Sequence, residues 1–102
     1  MRKEIREFVT SLDRKSFTNN VQRVMHTLLL ASISGKEWIS TKSFRTRSAA
    51  ARLRDLRKEE YGGFDVRCKQ ASEIERNGSQ YTYFYSVGAS GLTLTKLRKL
   101  FQ

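Results

Sequence analysis

The sequence predicts an α+β fold in which a helical first half runs into a β-hairpin. Three observations carry this. Apolar residues recur at helical spacing from the N-terminus to about residue 60. After Gly62-Gly63 the period changes from 3.6 to 2, so that Phe64, Val66, Cys68 and Gln70 alternate with Asp65, Arg67, Lys69 and Ala71. Asn77-Gly78, where both turn positions favour positive φ, then marks a tight hairpin turn. At 102 residues the chain can build one core and one domain, 1–102. It has no proline, no internal repeat and no low-complexity tract that would read as a linker.

The elements follow in order. Ile5, Phe8, Val9 and Leu12 share one side of a first helix over residues 2–12, ending around Asp13. Asn19 or Asn20 is placed to cap a second helix with Val21, Val24, Met25, Leu28 and Leu29 on its apolar face, stopping at Gly35. Trp38-Ile39-Ser40 reads as a short extended piece. Ser40 or Thr41 would cap a brief helical turn over Lys42, Ser43 and Phe44. A basic helix is expected over 47–60, with Ala49, Leu53 and Leu56 on its inner side. A two-residue turn at 77–78 would pair Cys68 with Val87, Gln70 with Tyr85, Ala71 with Phe84 and Glu73 with Thr82. Tyr85 and Tyr83 then face the core and Phe84 projects away from it. Leu94, Leu97, Leu100 and Phe101 suggest a last short helix.

Charge is the most pointed feature. The chain carries net +10 with a pI near 10.3, a balance that calls for a polyanionic partner. Between Lys36 and Lys58 stand eight Lys/Arg against two acids, Glu37 and Asp55. On the basic helix the outer strip is Arg47, Ala51, Arg54 and Lys58, with Ser48 and Asp55 on one shoulder and Arg52 and Arg57 at the edges. Arginine suits guanine O6/N7, and a small residue such as Ala51 lets a helix approach base edges closely. The bland alternative is a solvated helix face.

The run Ala-Ala-Arg-Leu-Arg-Asp-Leu-Arg-Lys-Glu at residues 50–59, followed by Tyr61 and Phe64-Asp65-Val66, resembles the recognition-helix-to-wing passage of small winged helix-turn-helix domains common in bacteriophages and mobile elements. Their usual pattern is Ala-Arg-Ile-x-x-Leu-Arg-Lys-x-Gly-Tyr-x-Ile, and the likeness covers roughly residues 20–88. The chain departs from it after Lys58, where Glu60 stands in place of the glycine. The resemblance implies a winged-helix core over 19–88, flanked by an N-terminal helical extension (1–18) and a C-terminal helix (89–102). It also implies a duplex-DNA-binding protein of transcription control or replication-origin binding, in the cytoplasm of a bacterial or phage-infected cell, on the nucleoid.

The expected DNA contacts are Thr41, Lys42 and Ser43 at the preceding turn, and Arg45, Arg47, Ser48, Ala51, Arg52, Arg54, Arg57 and Lys58 along the basic helix. Arg76 and Asn77 would join them at a wing tip over 75–80. Ordinary capping explains the first group equally well, and a solvated turn explains the last.

Other classes find less in the sequence. The lone Cys68 excludes an internal disulfide and any cysteine-based zinc site. The charged N-terminus shows no secretory signal, and Leu28–Ile33 is far shorter than the ~20 apolar residues a membrane crossing needs. No phosphate-binding glycine loop, metal-ligand spacing or cofactor motif is evident, and His26 sits amid an apolar helix face as a packed or edge residue. An enzyme is therefore not expected. A protein-protein module docking on an acidic host protein, or an RNA-binding domain using the Tyr81–Tyr85 aromatics, are the alternatives. The apolar terminal helices would either cap the domain or pair two copies.

Overall fold

The computed structural model describes residues 1–70 and 83–102. Four α-helices, α1 (Lys3–Ser11), α2 (Asn20–Ile33), α3 (Ala49–Asp55) and α4 (Leu94–Leu100), pack with three strands, β1 (Ile39–Ser40), β2 (Val66–Gln70) and β3 (Tyr83–Val87). The sheet is antiparallel in the order β1-β3-β2. An α+β fold is thus present, and the short extended piece expected at 38–40 joins the two hairpin strands, Ile39-Ser40 pairing with Tyr85 and Phe84. No helix of the described residues is long and apolar enough to cross a membrane.

Helix α2 is the spine. Its N-cap is Asn19, whose side chain accepts from the Gln22 backbone N–H, while the Gln22 side chain accepts from the Thr18 N–H at 2.7 Å. The first bond satisfies a donor that the first helical turn leaves free, and the second ties down the residue before the cap. The buried Gln22 amide also donates 2.9 Å to the Leu100 carbonyl, tying α2 to the end of α4. Val21, Val24, Met25, Leu28 and Leu29 are buried, as their spacing requires, and Gly35, at φ +85°, follows the helix.

The terminal helices close the core. Ile5, Val9 and Leu97 are buried, and Phe8, Leu100 and Phe101 pack half-buried against them. The Phe101 ring lies 6.3 Å from Phe8 and 5.3 Å from Phe17. These apolar side chains of the two terminal helices are thus packed within the chain.

The basic helix is shorter than the 47–60 expected. Ser48 adopts a left-handed conformation, φ +58°, so helical geometry begins only at Ala49. At the other end, Arg57 and Lys58 donate to the carbonyls three residues back, and Lys58 itself is extended. The chain then makes a 3-10 turn over Glu59–Tyr61 and reverses through Gly62. Arg47 and Lys58 therefore flank the helix instead of sitting on it. The preceding segment is likewise a 3-10 turn, Thr41–Ser43, and neither Ser40 nor Thr41 caps it through a side chain. Thr41 instead donates to the Tyr83 carbonyl at 3.1 Å.

The hairpin register is two residues away from that expected. Cys68 faces Tyr85 and Gln70 faces Tyr83, where Val87 and Tyr85 were expected. A two-residue slip preserves which face each side chain occupies. Val66, Tyr85 and Ile39 accordingly point into the core, and Phe84 is half-buried on the outer face. Tyr83, expected to face the core, is 44% exposed, at the end of β3 next to the exposed Gln70. The expected pairs involving Ala71, Glu73 and Thr82, the turn at Asn77-Gly78, and Tyr81 fall outside the described residues.

Candidate nucleic-acid interface

Helix α3 is held by one side and presents the other. Ala49, Leu53 and, just past its end, Leu56 are buried, and α3 packs on α2. A run of seven residues is only about 10 Å long, two turns. Its opposite side carries Ala51, half-buried, and Arg54, exposed. Arg45, Arg47 and Ser48 are exposed on the segment that leads into it, and Thr41, Lys42 and Ser43 lie on the turn before that, with Lys42 and Ser43 exposed. The expected residues are thus brought to the approach and outer side of one short helix.

They do not all remain free. Asp55 takes two of the expected cations, Arg52 at 3.0 Å and Lys58 at 3.2 Å. Arg52 lies three residues before Asp55 on the helix and Lys58 three residues after it, past the helix end, so both reach the one carboxylate. Arg57 turns toward the sheet, where its Nε donates 2.7 Å to the Val66 carbonyl. Burial pushes the Tyr85 phenol above its ordinary value, with Cys68 adding to the effect and the Arg57 and Arg54 charges opposing it. By contrast, Arg45, Arg47 and Arg54 make no side-chain hydrogen bond or ion pair among the described residues. Arg76 and Asn77 fall outside those residues.

Two residues that sequence reasoning did not select belong to this surface. Arg14, on a 3-10 turn (Arg14–Ser16), and Arg23, on α2, line a cleft together with Arg45 and Arg47. Nothing in the local sequence marks them, because the approach is made by tertiary packing. Arg14 Nη1 lies 3.3 Å from the Arg23 carbonyl, from His26 Nδ1 and from Thr27 Oγ1. Arg23 is fixed by bonds to Asn20 Oδ1 at 2.9 Å and to the Phe17 carbonyl at 3.2 Å. His26 is buried with its ring edge-on to Phe17. Burial first, and the Arg14 charge second, lower its pKa.

The outer face of the sheet adds a smaller basic surface. Arg67 and Lys69 stand on β2, with the Lys69 ammonium 4.4 Å from the centre of the Trp38 ring. Arg67 is paired with Asp65 at 2.9 Å.

The chain matches no protein-family model, no curated protein and no solved structure.

Proposed function

We propose that this chain is a winged helix-turn-helix protein that binds double-stranded DNA, with α2 as the supporting helix, α3 in the major groove and the β2–β3 hairpin as the wing. The observation that carries this is the sidedness of α3. One side is locked into the core by Ala49, Leu53 and Leu56, while the other offers Ala51 and Arg54, with Arg47 exposed on the segment that leads in and both arginines unpaired among the described residues. Small-beside-basic is the surface a helix needs to reach base edges and phosphates together. Because α3 has only two turns, base reading is concentrated at Ala51 and Arg54. Arg45, Arg47 and Lys42 serve the backbone. The role in the cell would be transcription control or origin binding in the cytoplasm.

A fluorescence-anisotropy titration of duplex DNA tests this. Affinity should fall with salt with a log-log slope of about −0.9 per phosphate neutralised. Reversal of Arg47 and Arg54 to glutamate should abolish binding. A flat salt response sinks the proposal. Stronger competition by single strands would transfer the surface to RNA, and capture of an acidic protein without DNA binding would make it a docking module.

A further inference from the structure

The cleft between α2 and the segment entering α3 has a volume of about 430 Å³ and is lined by Arg14, Arg23, Arg45 and Arg47, with Thr46 also on the lining and, among the described residues, no acidic side chain. The four guanidinium groups come from three separate parts of the chain. Like charges gathered without a carboxylate repel one another, and a bound anion removes that cost. Arg14 and Arg23 are each oriented by hydrogen bonds along part of the guanidinium, and Arg45 and Arg47 have all their donors unspent among the described residues. The Thr46 hydroxyl is buried and has no hydrogen-bond partner among the described residues, a state that buried polar groups rarely keep. We infer that this cleft is a phosphate-binding site, in which guanidinium forks from the 3-10 turn at Arg14, from α2 and from the α3 approach surround one tetrahedral oxyanion.

The site shares Arg45 and Arg47 with the DNA-binding proposal and names the group they would hold. It does not require α3 to enter a groove. The phosphate would come either from a nucleic-acid backbone or from free phosphate.

The test is titration of ¹⁵N-labelled protein with inorganic phosphate at constant ionic strength, against sodium chloride. Saturable shifts are expected at residues 43–47 and at the Arg14 and Arg23 side-chain signals. Arg14→Gln and, separately, Arg45→Gln should each weaken phosphate binding about tenfold, the scale of one lost charge-assisted hydrogen bond. Arg45 is exposed and unbonded among the described residues, so its variant keeps the fold and guards against a structural effect at Arg14. Shifts no larger than those from chloride, or wild-type phosphate affinity in both variants, overturn the inference. Displacement of duplex by phosphate beyond that by chloride assigns the cleft to the backbone, and simultaneous binding of both assigns it to free phosphate. Phosphate binding in a protein that fails to bind duplex sustains the cleft and removes the DNA-binding proposal alone.

Discussion

Arg57 Nε donates a 2.7 Å hydrogen bond to the Val66 carbonyl, clipping the end of the basic segment to the first residue of β2. Arg57 therefore sets the angle between helix and hairpin before it can serve any ligand. Arg57→Ala should lower stability by about 1–2 kcal/mol, in the range for a partly exposed bond from a charged donor. Urea unfolding measures this. Duplex affinity should change less than for Arg54→Ala.

Asp55 faces both Arg52 and Lys58, and withholds two cations from the surface. The Asp55 side chain is 14% exposed and its two cations 37% and 57%, so the pairs are partly screened by solvent and Asp55→Asn should cost about 1 kcal/mol. Under the proposed function it should raise duplex affinity several-fold at low salt and steepen the salt dependence. Unchanged affinity would mean that Arg52 and Lys58 lie away from the DNA.

How far the sequence revealed this arrangement depended on distance along the chain. The inner side of α3 and the apolar face of α2 followed from periodicity alone, because every residue involved lies within a few turns. Parity placed Val66 and Tyr85 on the core side, although Tyr83 is exposed, and the register did not follow, since alternation leaves a two-residue slip undetermined. The limits of α3 were hidden for another reason. Ala, Arg, Leu and Lys at 50–58 all favour helix, but the left-handed Ser48 precedes it and the chain leaves it to reverse at Gly62, between the buried Leu56 and Phe64. The meeting of Arg14 and Arg23 with Arg45 and Arg47 is a tertiary event with no local signal at all.

Gly62 has φ +115°, and a Cβ there would sit 2.5 Å from Cε2 of the buried Phe64 ring. Gly62→Ala combines backbone strain with a clash that a 2% exposed ring cannot relieve, and should cost about 2 kcal/mol or more. Ser48 offers the matching control, because it adopts positive φ without being glycine. Ser48→Val should destabilise by about 1–2 kcal/mol, whereas Ser48→Gly should not. Thermal melts of the three variants distinguish the two sites.

His26 makes stability depend on pH in a defined direction. Its pKa in the folded chain is lowered from 6.5 by burial and by Arg14, against a backbone hydrogen bond with Val9. The unfolded chain therefore takes up the proton first as pH falls. Stability should be complete above the ordinary value, decline as pH drops through 6.5, and level off below the folded-state pKa. Urea unfolding of wild type and His26→Gln from pH 7.5 to 5 should show this loss only in the wild type.

Arg54 and Arg45 should separate base reading from backbone binding. Arg54 lies on the outer side of α3, beside Ala51, where a side chain can reach a groove floor. Arg45 lies ahead of the helix, on the cleft shared with Arg14 and Arg23. A lost bidentate base contact removes about 1–3 kcal/mol from the preferred sequence and relaxes discrimination at one position. A lost phosphate contact weakens all sequences alike and reduces the magnitude of the salt slope by about 0.9. With a binding site selected from random duplexes, Arg54→Ala should therefore flatten the preference while leaving the slope nearly intact. Arg45→Ala should do the reverse. Identical behaviour of the two variants would place both on the backbone, and base reading by α3 would then have to rest on Ala51 and shape alone.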